Sequence, residues 1–506
     1  MSSFKLWLGF LAMCVGVFMA VLDIQVVASA LTTIGAALNI APEKLGWVQT
    51  GYLMAEVIAI PLTGLLTRAL SLRWMFVMAI LGFTLASLGC AFSSTIVMLI
   101  VLRAVQGFFG GMLIPAVFTS IFVVMPANRH ILATTLAGLF AVIAPTIGPF
   151  VGGYLTTNYS WHWIFLVNVG PGLLVAVLVA TCIRFGEADL HVLKKIDYGT
   201  FVLAAIFLGT LELLLSEAPG RDWHGRFVFS TAILCAISGA TGLWRTLHHA
   251  RPFVDLRCFR RRSFALGCGL SFIFGMGLFG SVYMLAIFLG LVRGHTPLEI
   301  GEIMMVSGAA QLAMAPVAAL LEKYMDARLL TAIGFLVFGL GLALNGLVTP
   351  QSDFWDLFWP QVLRGLAVMV CILPATRLAL EGWCETDVPD ASGLFNLTRN
   401  LGGAIGIALI DTLLQSRTLG HANALVARLQ AGDVDAARLV GLPTAMFRGQ
   451  AMGPVDSFTK AIIAPMIQRA ALTQSLNEGW LTLGGLFLIG LLLVPMIRRS
   501  DVSGEV

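Results

Sequence analysis

The fold is decided by the stretch LRAVQGFFGGMLIP, residues Leu102–Pro115. It holds one arginine, one glutamine and three glycines among apolar residues, and the apolar run extends over about 96–118. A helix needs roughly 20 mostly apolar residues to cross about 30 Å of hydrocarbon. A charge inside such a helix is costly and by default marks a functional site. The stretch therefore predicts a membrane-spanning helix built around Arg103.

The composition of the whole chain supports this interpretation. Its 506 residues are 58% hydrophobic and 11% charged, whereas soluble domains carry about 25% charged residues. These values exclude an ordinary cytosolic enzyme, a disordered chain and a basic nucleic-acid binder, so no nucleic-acid partner is expected. The eight cysteines show no CxxC spacing, which predicts neither a disulfide framework nor a metal site.

Runs long enough to span the membrane number fourteen. They lie near 6–31, 47–66, 74–93, 96–118, 131–155, 163–184, 199–216, 227–247, 264–292, 299–320, 329–349, 357–379, 393–414 and 480–497. The first run is too long for the apolar core of a signal peptide and contains Asp23, so we expect it to remain in the mature protein.

Lysine and arginine predict the orientation. Most of them fall in loops on the side of the amino terminus, whereas the short loops on the other side hold only Lys44, Arg221, Arg226 and Arg293. The positive-inside rule therefore predicts that both termini are cytoplasmic. Segment 415–479 is long enough to escape that rule and is predicted to be extracytoplasmic, with helix-like stretches at 421–430 and 456–475. It is either a partner contact or a passive cover over the outer mouth.

The two ends of the chain resemble each other. Leu66, Arg68 and Arg73 after span 2 match Leu321, Lys323 and Arg328 after span 10, and Arg103 in span 4 has a counterpart, Arg364, in span 12. Parallel repeats of this kind predict two six-helix bundles. The expected units are residues 1–196, an insert at 197–262 with spans 7 and 8 and a basic cytoplasmic loop, and residues 263–506.

Charged residues within the spans are the candidate site. Asp23 and Arg103 lie roughly 10 and 12 Å from the same outer surface, so they could form an ion pair. That pair is either purely structural or part of proton coupling. Glu56 lies about 14 Å deep and could take up a proton if it lacks a firm partner. The alternative for Glu56 is a snorkelling or backbone-bonded acid.

Other charges carry weaker expectations. Glu212 and Asp411 fall close to the predicted outer ends of their helices and are expected to be interfacial. Arg399, about 9 Å in from the cytoplasmic end of span 13, is expected to cap nearby carbonyl groups. The acids Asp23 and Glu56 weakly favour cationic solutes.

Glycines and prolines give a second signal. The GxxxG pairs Gly107–Gly111, Gly148–Gly152 and Gly402–Gly406 would let helix backbones approach closely. Gln106, Gly110 and Gly403 belong to the same predicted packing surfaces. Pro145 and Pro149 remove helical hydrogen bonds and predict a kink in span 5. Close contact and a kink suit a helix that rocks against its neighbours, although static packing is an alternative.

These motifs resemble those of a known family. Arg103, Gln106, Gly107, Gly110, Gly111 and Pro115 are similar to the span-4 signature of the major facilitator superfamily, and the span-5 sequence PTIGPFVGG resembles the antiporter motif of its exporters. Leu22-Asp23 with Val26-Val27, the sequence Trp161–Phe165 with Asn168 and Pro171, and the sequence Pro252–Leu256 resemble the fourteen-span drug/proton antiporters of the EmrB/QacA type.

The resemblance implies roles for particular residues. Asp23 would take part in protonation, Arg103 in coupling, and Pro145, Gly148, Pro149, Gly152 and Gly153 in sealing the exchange cycle. Gln25 and Ser29 stand where Thr and Asn are usual, and the loop motif keeps Gly64, Arg68 and Arg73 but has Thr67 and Ser71 in place of Asp and Gly. Glu56 is not part of the family motif.

The predicted protein is an all-α membrane protein of the major facilitator fold that exports amphipathic drugs or toxic compounds in exchange for protons. The alternative is a dedicated exporter of one metabolite, siderophore or lipid. No lysine follows a glycine, which excludes a Walker A motif, and neither a cofactor nor an enzymatic activity is expected. The resemblance implies the bacterial cytoplasmic (inner) membrane, with a periplasmic adaptor protein and an outer-membrane channel as candidate partners.

Overall fold

The computed structural model describes residues 3–38, 42–184, 188–191, 197–248, 255–384, 387–444 and 457–496. Within these ranges, fourteen helices are long and apolar enough to cross a membrane, which confirms the predicted number of spans. Lys194, Lys195, Arg251, Arg498, Arg499 and residues 252–254 lie outside the described residues.

The spanning helices are numbered here as the spans were. They are α1 Ser3–Ala37, α2 Pro42–Leu70, α3 Leu72–Ala91, α4 Ile96–Val123, α5 His130–Asn158, α6 Val169–Cys182, α7 Tyr198–Glu217, α8 Arg226–His248, α9 Arg262–Ile287, α10 Pro297–Tyr324, α11 Ala327–Asn345, α12 Phe354–Leu380, α13 Val388–Gln430 and α14 Ser457–Leu491. A short helix, Trp163–Leu166, precedes α6, and a π-helical turn, Phe288–Arg293, continues α9.

The helices form two bundles that pack in the same way. In the first lobe, α1 packs on α5, α4 on α2 and α3, and α3 on α6; in the second, α9 packs on α13, α12 on α10 and α11, and α11 on α14. The lobes meet where α2 contacts α13 and α5 contacts α10. Each lobe has its own buried apolar core, with Phe76 and Phe118 in the first and Phe335 and Trp480 in the second.

The inserted helices α7 and α8 pack against each other, and α7 also packs on α2. Large apolar side chains on their outer faces remain exposed, among them Val202, Phe229 and Trp244. Since a soluble protein rarely leaves so much apolar surface uncovered, these faces are suited to contact lipid. At the end of the pair, Asp197 accepts hydrogen bonds of 2.6 and 2.7 Å from Arg245.

The expectation that Arg68 and Arg73 lie in a loop after span 2 was wrong. Helix α2 continues to Leu70 and α3 begins at Leu72, so Ser71 is the only residue between them. Arg68 lies in the last turn of α2, where a cation interacts favourably with the helix dipole. Ser71 has φ 71° and ψ 154°, a conformation that glycine adopts far more readily. Ser71 occupies a position where the family that the sequence resembles often has glycine.

The two helix-like stretches expected within 415–479 are confirmed as extensions of α13 and α14. At about 1.5 Å per residue, the 43 residues of α13 measure about 65 Å, twice the length that a span requires. The short helix Val434–Val440 packs with these extensions around Leu425, Ala436 and Ala470. This unit, called here the cap, has a small apolar core of its own.

Candidate functional site

Asp23 of α1 and Arg103 of α4 form an ion pair in the interior of the first lobe. Both side chains have no exposed surface. Gln106, one helical turn after Arg103, donates a hydrogen bond of 3.0 Å to Asp23 Oδ1 and accepts one of 2.8 Å from Arg103 Nη1. The sequence placed Asp23 and Arg103 at the same depth, and the structure brings them into contact.

Asn168 completes the network around Asp23. Its Nδ2 donates a hydrogen bond of 2.8 Å to Asp23 Oδ1 and lies 3.1 Å from Ser87 Oγ on α3. The sequence identifies Asn168 only as part of the family motif, although it lies five residues after Trp163, or about 8 Å from the start of span 6. That depth is close to the depth of Asp23, so the sequence could have predicted that the two residues lie at the same level.

The remaining surface of the Arg103 guanidinium faces α2. Arg103 Nε donates a hydrogen bond of 3.4 Å to the carbonyl of Val48, and the guanidinium lies 4.2 Å from the centroid of the Tyr52 ring. Tyr52 in turn donates a hydrogen bond of 3.2 Å to the carbonyl of Ala20 on α1. Arg103 would therefore keep several contacts if Asp23 were protonated and the ion pair were broken.

Glu56 is buried on α2 and has no hydrogen bond or ion pair among the described residues. The charged groups that act on it electrostatically are Glu212, Arg103 and Arg399. The expectation that Glu212 is interfacial was wrong, because α7 packs on α2 and leaves this side chain 6% exposed. Glu212 is thus a second buried acid, on an inserted helix that packs on α2.

Arg399 and Asp411, both on α13, also have specific side-chain partners. Arg399 Nη2 donates a hydrogen bond of 2.8 Å to Asn396 Oδ1, and its guanidinium lies 5.5 Å from the Phe118 ring centroid. The expectation that Arg399 caps carbonyl groups was therefore wrong, since a side-chain amide one turn away accepts the hydrogen bond. Asp411 is half-buried and accepts a hydrogen bond of 2.5 Å from the partly buried Tyr283 of α9. Its expected position at the membrane interface stays a prediction.

The predicted glycine pairs lie at the closest helix contacts. A Cβ at Gly111 would come within 2.5 Å of the Glu56 carbonyl, and one at Gly107 would collide with the Tyr52 backbone. A Cβ at Gly148 would likewise collide with Gln25 of α1, and one at Gly152 with Ser29. Gln25 and Ser29, which depart from the span-1 motif of the family, therefore contact the antiporter motif on α5. The other predicted packing residues are also buried: Gln106, Gly110, Pro145, Pro149, Gly153, Gly402, Gly403 and Gly406.

An ion pair joins the lobes near the side on which α1 begins, called here the near side. Arg68 at the end of α2 pairs with Asp390 at the start of α13, and a Cβ at Gly64 would collide with the Asp390 carboxylate. Ser392 donates a hydrogen bond of 2.8 Å to the carbonyl of Pro115. Arg73 does not share this contact; its guanidinium lies 4.6 Å from the Trp74 ring centroid.

The lobes also meet on the far side, where Gly301 of α10 packs against the backbone of Phe150. Between these two contacts lies a narrow cavity lined by Pro145 and by α9 to α12 of the second lobe. Arg364, Gln361, Gln311, Ser307 and Ser281 supply its polar lining. Within the described ranges, no group of three or more His, Cys, Asp and Glu side chains could hold a metal ion.

Comparisons with known proteins agree with this architecture. The profile of the Major Facilitator Superfamily matches residues 13–407. The chain is 38% identical to the colistin resistance protein EmrB of Acinetobacter baumannii over 82% of this chain and 81% of that protein. It is 28% identical to the multidrug export protein EmrB of Escherichia coli (strain K12), covering 98% and 96% of the two chains. The fold of the proton:xylose symporter XylE superimposes with a TM-score of 0.62 at 12% identity, covering 98% and 96%.

Proposed function

The chain belongs to the major facilitator superfamily, and from this premise we propose that it is a proton-coupled exporter of amphipathic drugs or toxic compounds. Relatives named for multidrug export and colistin resistance support this function. The observation that carries it is the buried network of Asp23, Arg103, Gln106 and Asn168. A titratable group held inside the lobe can exchange a proton only if its partners rearrange.

The network suggests how the proton is coupled to movement. While Asp23 is ionised, its pair with Arg103 links α1 to α4. Protonation would cancel the charge of Asp23 and leave Arg103 with Gln106, the Val48 carbonyl and the Tyr52 ring. Breaking a buried ion pair changes the stability of the packed state strongly. Protonation at this point would therefore bias the contacts between helices.

Glu56 is the second proton carrier in this proposal. It lies where α2 meets both α4 and α7, and Glu212 is the acid that acts on it from the inserted pair of helices. Where two buried carboxylates repel each other, a state in which one of them holds a proton is favoured. The inserted helix α7 would thus add a titratable group to the site.

Movement of the lobes would expose the central cavity to each side in turn. The antiporter motif on α5 contacts α1 through Gly148 and Gly152 and reaches the cavity at Pro145. Contact between Arg68 and Asp390 would close the near side, which we assign to the cytoplasm together with both termini. Opening of this latch would admit solute from the cytoplasm.

We place the protein in the bacterial cytoplasmic (inner) membrane and assign the cap to the periplasmic side. A periplasmic adaptor protein that leads to an outer-membrane channel is the proposed partner of the cap. The apolar core of the cap supports this role, because a packed unit presents a fixed surface whereas an unstructured loop does not. This assignment predicts that deleting the cap impairs export across the cell envelope but leaves transport in isolated vesicles intact.

The test is dye efflux in everted membrane vesicles with and without a proton gradient. We expect gradient-dependent efflux that Asp23→Asn abolishes while the amount of folded protein is retained. Asp435→Asn, at an exposed acid in the cap, is the matched control and should behave as wild type. Unchanged efflux in Asp23→Asn would remove Asp23 from the mechanism. Saturable transport of one compound, without dye efflux, would favour the dedicated exporter.

A further inference from the structure

The cavity, which α9 to α12 of the second lobe line together with Pro145 of the first, contains a buried cation without a counter-ion. Arg364 of α12 is 4% exposed and lines the cavity. No hydrogen bond or ion pair joins it to another described residue, and its Nε is buried without a partner. An arginine has five N–H donors and no means of losing its charge in a protein. Such a group in a low-dielectric interior is costly unless something pairs with it.

Comparison with the first lobe shows what is missing. Arg103 occupies the related position on α4 and is neutralised by Asp23 of α1. Helix α9, which packs in the second lobe as α1 does in the first, contains no Asp or Glu over Arg262–Ile287. The second lobe thus has an arginine at the position of Arg103, but α9 has no acid that could neutralise it as Asp23 neutralises Arg103.

The other polar groups in the cavity cannot balance this charge. Gln361 donates a hydrogen bond of 2.7 Å to the carbonyl of Ile303, and Gln311 Nε2 lies 3.4 Å from Ser307 Oγ. Gln311 Oε1 is buried and has no partner among the described residues. All of these groups are neutral. The rest of the lining is apolar and includes Leu278, Leu285, Met304, Phe338 and Val368.

We propose that this cavity binds the anionic headgroup of an amphipathic solute, with Arg364 as the counter-ion of its oxyanion. A carboxylate, sulfonate or phosphate matches the planar fork of the guanidinium, and the apolar wall would hold the hydrocarbon part of the solute. The proposal rests on the exporter function and names its substrate class. It replaces the weak expectation of cationic solutes, because neither Asp23 nor Glu56 lines the cavity.

The position of Pro145 connects this site to the transport cycle. Pro145 is the cavity residue contributed by the first lobe, and it belongs to the antiporter motif on α5. The cavity is narrow in this conformation. Under this proposal, the lobes would separate to admit a solute and close to enclose it. An anion on Arg364 would stabilise the closed lobes, because it satisfies a charge that is otherwise unpaired.

The test measures binding of radiolabelled decanoate to the full chain in lipid nanodiscs, with empty nanodiscs as the baseline. Decanol and decyltrimethylammonium serve as neutral and cationic competitors with the same alkyl chain. We expect Arg364→Gln to weaken decanoate binding about tenfold or more, as the loss of a charge-assisted hydrogen bond predicts. Arg364→Lys should retain most of the affinity. Arg377→Gln, on the same helix but paired with Glu381 outside the cavity, should bind as wild type.

Wild-type affinity in Arg364→Gln, or equal competition by decyltrimethylammonium, would overturn the proposal. Misfolding is checked by thermal unfolding, and Arg364→Gln should unfold no earlier than wild type because it removes an unpaired charge. Gradient-driven efflux of a dye from vesicles separates this proposal from the exporter function. If the wild-type protein shows no dye efflux but still binds decanoate, the exporter function is rejected and the anion-binding site is retained.

Discussion

The amide of Asn168 lies 2.8 Å from the carboxylate of Asp23 and donates a hydrogen bond to it. This contact connects α6 to a network that already links α1 and α4, and Ser87 extends it to α3. Asp23 thus has donors from two other helices. Protonation of Asp23, as proposed above, would therefore affect several helix contacts in the first lobe.

A double variant separates the structural role of the Asp23–Arg103 pair from its role in coupling. Asp23→Asn alone leaves Arg103 buried without a carboxylate, and we expect a loss of about 3 kcal/mol, which is the low end for a broken buried pair. The combination Asp23→Asn with Arg103→Gln should recover stability in thermal unfolding but not efflux in vesicles. Recovery of both would identify the pair as purely structural.

Charge reversal tests the near-side latch. Asp390→Arg should weaken closure and raise the labelling rate of Ser392→Cys by a membrane-impermeant maleimide about fivefold, corresponding to about 1 kcal/mol. The background carries Cys384→Ser, because Cys384 is the exposed cysteine. Adding Arg68→Asp should return the rate to its starting value. A rate that stays high in the swapped pair would argue against the ion pair as the latch.

A pair of glycine variants tests the close contact between α4 and α2. Gly111→Ala should destabilise the protein by about 1–3 kcal/mol because the new methyl group meets the Glu56 backbone. Gly485→Ala is the matched control, since Gly485 lies on α14 with no atom within 4 Å of an added Cβ. The control should be neutral or slightly stabilising, because alanine favours helix more than glycine does. Equal melting temperatures for the two variants would contradict this account.

Ser71→Gly should stabilise the protein. Serine at φ 71° carries backbone strain of about 1–3 kcal/mol, and glycine would relieve it at an entropic cost of about 0.5–1 kcal/mol. The Ser71 side chain makes no capping hydrogen bond that would be lost. We expect a higher melting temperature in detergent, by an amount that corresponds to about 1 kcal/mol. Ser71→Ala, which keeps the strain, should show no such increase.

Acid should selectively weaken the contact between the inserted helices. Hydrogen bonds from Arg245 hold the pKa of Asp197 well below its ordinary value. A lowered pKa in the folded state stabilises the protein above the unfolded value of about 3.9, and this contribution is lost as the pH falls below it. Asp197→Asn should therefore lower the melting temperature at pH 7, and the difference from wild type should shrink below about pH 4. A difference that is constant across this range would exclude the ion pair as its source.

Much of the architecture could be predicted from local properties of the sequence. Run length and hydropathy gave fourteen spans, because crossing hydrocarbon imposes the same length requirement on every helix. Depth along each run placed Asp23 and Arg103 at one level, because the rise per residue is constant. The motifs indicated the family. The prediction of a loop at Arg68 and Arg73 was wrong because polar residues are also compatible with the ends of helices.

Contacts that depend on the rotation of each helix and on distant partners were decided by the tertiary structure alone. Asn168 reaches Asp23 across 145 positions, and Asp390 reaches Arg68 across 322. Arg103 and Arg364 look equivalent in the sequence, yet one is neutralised and the other faces a cavity. Sequence fixes the depth of a charge in a span through covalent geometry. Whether that charge meets an acid, an apolar wall or a solute is settled by which helices pack around it.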